Sequence, residues 1–109
     1  MEPKFNLWIE HNGAVVLSEW RVRLLDAIDQ TGSISRAADR MKITYHRAWE
    51  KLHEMEEGLG EKLVNAQVGG VGGGGAELTD RGRELLRKFR AFSEGLSDEI
   101  DQRFKVNFK

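Results

Sequence analysis

Two short apolar stripes with helical spacing, separated by a very short break, constrain the fold of this chain more than any other feature. Between residues 33 and 60, apolar side chains recur at steps of three and four, the spacing that places them on one face of an α-helix. Only Lys42 and Ile43 lie between Met41, at the end of the first stripe, and Thr44, so the chain must turn sharply between two helices. The stripes consist of Ile34, Ala37, Ala38 and Met41, and of Ala48, Leu52, Met55 and Leu59.

Small polar residues and glycines stand where these two helices should begin and end. Ser33 or Ser35 can cap the first helix and Thr44 the second, because a hydroxyl oxygen accepts a hydrogen bond from an amide of the first turn. Gly58 or Gly60 is expected to end the second helix. The small pair at residues 37 and 38 lets the two helices approach closely, which is the arrangement of a helix-turn-helix.

Charge helps to distinguish a nucleic-acid-binding motif from an ordinary helical hairpin. Residues 33–53 contain five basic and two acidic side chains, whereas the whole chain of 109 residues has a net charge of −1. A basic segment in a nearly neutral protein is what attraction to phosphate groups requires. The sequence therefore favours DNA binding by a local patch.

Composition limits the other function classes. A chain of 109 residues is expected to form one domain, spanning residues 1–109. The chain has no cysteine, which fits a cytoplasmic protein and removes thiolate metal ligands and thiol catalysis. No apolar run is long enough to span a membrane, and the N-terminus does not follow the pattern of a secretory signal.

The N-terminal third predicts a β-hairpin followed by a helix. Asn12-Gly13 lies between β-prone runs, and this pair favours a two-residue turn with positive φ at both positions. We predict a hairpin over residues 1–17 and a three-helix core over residues 19–60. Its first helix runs from residue 19 to residue 31, with Ser18 as its cap and Gly32 at its end.

A glycine run follows the second helix of the motif. Six of the seven residues from Gly69 to Gly75 are glycine, and this composition predicts an irregular loop between two short strands. We interpret residues 61–79 as the wing of a winged helix, with a tip that can lie along a phosphate backbone. A dinucleotide-binding fingerprint at residues 70–75 is disfavoured, because glycine-rich sequence matches it automatically and no βαβ unit is apparent.

The C-terminal segment predicts one long helix over residues 80–106, capped by Thr79. Its apolar stripe is longer than a small core can cover, so the first half is expected to pack on the core. The second half is expected to form a homodimer interface through Phe92, Leu96, Ile100 and Phe104.

Three motifs together resemble the N-terminal DNA-binding domain of ModE-type, molybdate-responsive regulators. They are Gly-Ser-Ile-Ser-x-Ala-Ala from Gly32, Ile-Thr-Tyr-x-x-Ala-Trp from Ile43, and the glycine run with Ala-x-Leu-Thr that ends at Thr79. The likeness covers roughly residues 7–90 and extends more distantly to LysR-type regulators. It implies a mainly α winged helix-turn-helix with a small amount of β structure: an N-terminal β-hairpin, a two-stranded wing and a long C-terminal helix. It also implies a homodimer that binds a palindromic operator in double-stranded DNA.

The resemblance also implies that DNA is read at the start of the second motif helix by Thr44, Tyr45, His46 and Arg47, with Glu50 one turn further on. The same residues lie opposite that helix's apolar stripe. The wing departs from the family by carrying Ala66 and Val71 where basic residues are usual. The molybdate-binding domains of the family have no counterpart in these residues, so molybdate sensing does not transfer, no effector ligand is evident and no cofactor is expected. An effector site on a separate protein remains open. The predicted DNA contacts are Ser33, Ser35, Arg36, Lys42, Thr44, Tyr45, His46, Arg47, Glu50, Lys51, Gln67, Gly70, Gly72, Gly73 and Gly74.

Two other functions remain open from the sequence. A winged helix that binds protein rather than DNA would also suit a wing with few charges. A metal site is conceivable because His46, Glu50 and His53 share one helical face, although solvated side chains explain the same spacing. No catalytic constellation stands out, so no enzymatic activity is expected.

Overall fold

The computed structural model describes residues 1–67 and 75–109 as five helices and four short strands. The chain begins with a hairpin, continues through three helices and a second strand pair, and ends with two helices. The elements are β1 (Trp8–His11), β2 (Ala14–Ser18), α1 (Glu19–Thr31), α2 (Ile34–Met41), α3 (Tyr45–Leu59), β3 (Val64–Gln67), β4 (Gly75–Leu78), α4 (Asp80–Ser93) and α5 (Leu96–Asn107).

The N-terminal hairpin forms as predicted. Asn12 and Gly13 have φ angles of 52° and 82°, so both turn residues occupy the left-handed region that a two-residue hairpin loop needs. Strands β1 and β2 pair in antiparallel register, with a bulge between Ile9 and Glu10. The hairpin packs on α3, where Gly58 makes room for it. A Cβ added to Gly58 would lie 2.6 Å from Cγ1 of Val16.

Capping residues define the three helices of the core. The side-chain oxygens of Ser18, Ser33 and Thr44 accept hydrogen bonds from backbone amides three residues on, at 3.1–3.2 Å. Gly60, rather than the alternative glycine two residues earlier, ends α3 with a left-handed φ of 69°. Lys42 adopts the same conformation, with φ of 58°, and thereby turns the chain from α2 towards α3.

The core lies where α1, α2 and α3 meet, and it extends to the second strand pair and α4. Its fully buried members include the small pair Ala37 and Ala38, which allow α2 to contact α3 closely. Both predicted apolar stripes face this core, although Met41 and Leu59 at their ends are only partly buried. The core also includes Leu24, Leu25, Ile28, Ala48, Leu52, Met55, Leu63, Leu78 and Phe89.

Strands β3 and β4 form the base of the predicted wing. They pair in antiparallel register from Val64 opposite Leu78 to Gln67 opposite Gly75. Strand β3 begins three residues after the start of the predicted wing at residue 61, and the backbone amides of Leu63 and Val64 donate hydrogen bonds to the Glu56 side chain at the approach to the strand. The predicted contacts at Gly70, Gly72, Gly73 and Gly74 lie outside the described residues.

The prediction of one continuous helix over residues 80–106 is wrong. The chain leaves helical geometry at Glu94, and Gly95 has a φ of 80°, so α4 and α5 are separate helices. Glycine adopts this left-handed conformation without the steric cost of a Cβ. The break also falls just beyond the last buried residue, Phe89, where no further core packing favours a straight continuation.

None of the helices in the described ranges combines the length and apolar character needed to cross a membrane.

Candidate nucleic-acid interface

The outward face of α3 carries the side chains that were predicted to read DNA. Tyr45, His46, Arg47 and Glu50 are all exposed, and 54% of the Tyr45 surface is accessible. The opposite face is anchored in the core by its buried apolar stripe. The hydroxyl of Thr44 is engaged as the helix cap. The first two turns of α3 therefore present a polar, partly aromatic row of side chains on a firmly packed helix.

Two side chains on this face contact each other. Nε2 of His46 lies 3.5 Å from Oε2 of Glu50, one helical turn away, and both side chains are at least half exposed. An exposed pair of this kind contributes little to stability, so it can separate at low cost when a ligand approaches.

Lys51 belongs to a different environment from its neighbours in sequence. Its side chain is only 23% exposed, and Nζ lies 3.4 Å from the Glu54 carboxylate. Arg21 of α1 donates to the same carboxylate at 2.9 Å and also to the backbone oxygen of Lys51 at 3.3 Å. The hydrogen bond from Arg21, assisted by Lys51, lowers the pKa of Glu54. This cluster joins α1 to the middle of α3 and draws Lys51 back towards the protein.

The start of α2 forms the second part of the candidate interface. Ser35 and Arg36 are exposed, whereas Ser33 is half-buried and its hydroxyl accepts from the Arg36 amide. Thr31 steadies the preceding turn by donating to the carbonyl of Ala27 at 2.7 Å. A helix start with an exposed serine and an exposed arginine is a suitable phosphate site.

The wing base adds one predicted contact residue to this surface. Gln67 is exposed at the end of β3, opposite Gly75. The base itself is tied to the helix-turn-helix, because the Ala76 amide donates to the carbonyl of Gly32 at 2.8 Å. The wing therefore leaves the body beside the turn that connects α1 to α2.

A groove of about 280 Å³ between α3 and β3 contains residues that were not among the predicted DNA contacts. Trp49 and His53 line its helical side with their rings stacked 3.7 Å apart, and Lys62 and Asn65 line the opposite side. The four-residue spacing of the two rings on α3 was a usable signal. The contribution of Lys62 and Asn65 depends on how β3 packs, which no local pattern reveals.

The alternative metal site does not form with the geometry that its spacing suggested. Nδ1 of His53 lies 2.8 Å from the carbonyl oxygen of Trp49, and that nitrogen must carry the proton because a carbonyl can only accept. The His53 ring therefore stacks on Trp49, while His46 pairs with Glu50. Among residues 1–67 and 75–109, no group of three histidine or carboxylate side chains is arranged to hold a metal ion.

A family model described as the bacterial regulatory helix-turn-helix protein of the lysR family matches residues 20–83, from α1 to the first turn of α4. The chain belongs to the lysR family. This membership places the protein in a class of DNA-binding transcription regulators.

Two curated relatives of this lysR-family chain support the resemblance to ModE. The molybdenum transport protein ModE of Azotobacter vinelandii is 40% identical over 86 residues, which cover 79% of this chain and 32% of that protein. The molybdenum-pterin-binding protein MopB of Rhodobacter capsulatus is 40% identical over 89 residues, or 82% and 33% of the two chains. The chain thus spans about a third of the length of these relatives.

A solved structure confirms the fold of the lysR-family domain. The CbnR DNA-binding domain, crystallised in a complex with DNA, superposes with a TM-score of 0.64 at 21% identity. The match covers 83% of this chain and 97% of that one. Fold class and family, both predicted from sequence, are therefore confirmed.

Beyond the matched segment, the residues of the lysR-family chain that were predicted to form a dimer interface are exposed or half-buried. Phe92 is 57% exposed at the end of α4, and none of the residues in α5 is buried. Leu96, Ile100 and Phe104 are half-buried, and Phe104 stacks on Phe108 with ring centroids 4.9 Å apart.

An apolar groove of about 290 Å³ lies beside this exposed helix end. The hairpin, the end of α3 and α4 form its walls, with Ile9, Leu17, Leu59, Leu85, Phe89 and Phe92 among the lining residues. Phe92 belongs both to this groove and to the predicted dimer stripe. One protomer therefore presents an incompletely buried apolar stripe and an open apolar groove, and Phe92 belongs to both.

Proposed function

We propose that this protein binds a specific sequence in double-stranded DNA as a homodimer and regulates transcription by occupying that site. The observation that carries the proposal is the exposed row on α3, which is held by a buried apolar stripe on the opposite face. A helix with these two faces can enter the major groove without losing its packing. The function is binding rather than catalysis, and we expect it to take place in the cytoplasm.

Base reading is assigned to the first two turns of α3. Arg47 can donate two parallel hydrogen bonds to a guanine edge, and Tyr45, His46 and Glu50 lie beside it on the same face. Thr44 supports them as the helix cap and lies close to the approaching backbone. We expect sequence preference to depend mainly on these side chains.

Phosphate contacts are assigned to the residues around this row. Ser33, Ser35 and Arg36 offer donors at the start of α2, and Lys42 is exposed in the turn between the two helices. Lys51 joins them only if it turns away from Glu54. On the wing, Gln67 is a proposed contact, together with Gly70, Gly72, Gly73 and Gly74, whose amides have no side chain in front of them.

Dimer formation is assigned to α5 and its apolar stripe of Leu96, Ile100 and Phe104, with Phe92 at its start. None of the α5 residues of this stripe is fully buried within the described part of one protomer, and the groove beside Phe92 offers a second apolar surface. Association of two protomers would remove both surfaces from water. Two-fold symmetry would place the recognition helices on a palindromic operator, with half-sites about 34 Å apart, one turn of duplex.

The test is to select bound fragments from the host genome and to measure affinity for them by fluorescence anisotropy. Arg47→Ala is expected to weaken binding about 5- to 150-fold, the range for one arginine that reads a base. Lys4→Ala, which removes the same charge from the exposed N-terminal segment, should change affinity much less. Affinity should fall steeply with salt.

Equal effects of the two substitutions, or affinity that does not change with salt, would refute reading by α3. Retention of a protein partner in the absence of DNA binding would instead favour the alternative of a winged helix that binds protein. That alternative draws on the exposed, uncharged side chain of Ala66 in the wing base.

A further inference from the structure

A cleft of about 350 Å³ between α1 and the end of α2 is not explained by DNA reading. Its lining combines cationic and apolar side chains, including Trp20, Arg23, Ala27, Arg40, Met41 and Lys42. We propose that this α1–α2 cleft binds a small organic anion, consisting of a flat apolar ring that bears one or two acidic groups. The proposal goes beyond DNA binding, because only Lys42 is shared with the proposed DNA surface.

The charges in the cleft are unbalanced in favour of an anion. Arg23, Arg40 and Lys42 are exposed, and none of them takes part in the ion pairs formed within residues 1–67 and 75–109. Asp26 also lines the cleft, but its Oδ2 lies 2.9 Å from Nη2 of Arg90 on α4. The one carboxylate of the described lining is therefore already matched by a cation outside it.

A relay of hydrogen bonds holds one of these cations in place. Nη1 of Arg40 donates to Oε1 of Gln30 at 2.8 Å, and Nε2 of Gln30 donates to Oδ2 of Asp26 at 3.1 Å. Gln30 is neutral, so it orients the guanidinium without cancelling its charge. A fixed arginine loses less conformational entropy when it binds an acidic group, and its planar fork suits a carboxylate or a phosphate.

The remaining lining suits the ring of such a ligand. Trp20 and Met41 are partly buried side chains that pack against the core, and Ala27 is buried. The indole offers a flat apolar surface, and the volume lies near the lower end of the range of about 300–1,000 Å³ for small-molecule sites. A ring with acidic groups satisfies both halves of the lining.

The position of the cleft would couple its occupant to the DNA-reading helix. Lys42 lines the cleft and, with its left-handed φ of 58°, forms the turn that leads into the α3 cap at Thr44. A ligand held by Lys42 would therefore act on the turn that orients α3. A phosphate of bound DNA could supply the same anionic chemistry, so the experiment needs one arm without DNA and one with it.

In the arm without DNA, phthalate serves as the probe, because it combines a flat ring with two carboxylates. Succinate provides the charge without the ring, and phthalamide provides the ring without the charge. Binding is followed by nuclear magnetic resonance through the indole N–H signals of the protein's three tryptophans. We expect phthalate to shift the Trp20 signal and to bind at least about tenfold more tightly than either control compound.

Arg23→Gln and Arg40→Gln should each weaken phthalate binding about tenfold. Arg103→Gln, an exposed change on α5, should leave phthalate binding unaltered. Thermal unfolding of each variant checks that the fold is intact. No preference for phthalate over both control compounds, or equal binding by all three variants, would overturn the proposal.

The second arm measures the affinity of the same variants for a selected DNA fragment. If Arg23→Gln and Arg40→Gln weaken DNA binding while phthalate causes no shift, the cleft holds a backbone phosphate and the proposal is overturned. Because the first arm contains no DNA, the phthalate titration can be interpreted even if the protein proves not to bind DNA.

Discussion

Replacing Glu56 with alanine would remove the carboxylate that joins the end of α3 to the start of the wing. Its Oε2 accepts hydrogen bonds from the amides of Leu63 and Val64 at 2.8 and 3.2 Å. Both of those residues are buried, so the two amides would lose their acceptor in a place that water reaches poorly. Hydrogen bonds to a charged group contribute about 1.5–3 kcal/mol each in favourable cases.

Because Glu56 itself is only half-buried, water would recover part of this loss. We therefore expect Glu56→Ala to lower the free energy of unfolding by about 2–3 kcal/mol, and Glu56→Gln by about 1 kcal/mol, since an amide oxygen still accepts. Urea denaturation measures both values. Hydrogen exchange at the Leu63 and Val64 amides should accelerate by a matching factor.

Glu57 provides a matched control, because it is the next residue of α3 and is exposed. Glu57→Ala changes charge and helix propensity equally but should cost less than about 0.5 kcal/mol. The two alanine variants also test the role of the wing in DNA binding. Both remove one negative charge, but only Glu56→Ala also loosens the wing base, so Glu56→Ala should bind DNA more weakly than Glu57→Ala. Equal stabilities of the two variants would refute the assignment of Glu56 as the wing anchor.

Three further predictions concern other parts of the fold. Gly82→Ala would bring a methyl group into overlap with the backbone carbonyl of Leu63, so it should lower the free energy of unfolding by about 1–3 kcal/mol in urea denaturation. Arg87→Ala, an exposed change on the same helix, should lower it little. Because the pKa of Glu54 is lowered in the fold, its ion pair contributes its full stabilisation above about pH 4.3, the usual pKa of glutamate, and this stabilisation is lost as the pH falls through the lower folded pKa. In acid titrations, the difference in stability between the wild type and Glu54→Gln should therefore shrink as the pH falls. Ile100→Glu should convert a dimer to a monomer in light scattering, whereas the neighbouring exposed change Gln102→Glu should not; a wild-type monomer at high concentration would contradict the dimer assignment.

The parts of the fold that local chemistry determines could be predicted from the sequence. The caps at Ser18, Ser33 and Thr44 and the Asn12-Gly13 turn depend only on residues close to them in the chain, and all four form as expected. The outward face of α3 follows in the same way, because burying one stripe exposes the opposite one.

Features that arise from distant residues escaped the sequence argument. The groove at Trp49 and the α1–α2 cleft each require two elements to pack side by side, and no periodicity encodes their volume. The break at Gly95 was missed because apolar residues at steps of four continue through it, although a glycine beyond the last core residue is free to end a helix. Lys51 was assigned to DNA from its charge, without the Arg21 and Glu54 partners that α1 and α3 bring to it.

The anchoring of the wing and the isolation of α5 have different consequences for operator recognition. The wing base is tied to α3 through Glu56 and to the α1–α2 turn through the carbonyl of Gly32, and the Thr79 hydroxyl donates to the carbonyl of Lys62 at 2.8 Å. Among the described residues, the proposed DNA contacts on α2, α3 and the wing base are therefore held in one fixed arrangement, which favours one fixed half-site. The direction of α5, by contrast, is set at Glu94 and Gly95, and no buried residue holds it to the body. In the proposed dimer, the spacing between half-sites would then depend on the junction at Glu94 and Gly95 and on the surface of the second protomer that packs on α5. The sequence of a half-site and the spacing between half-sites would therefore be controlled by separate parts of the chain.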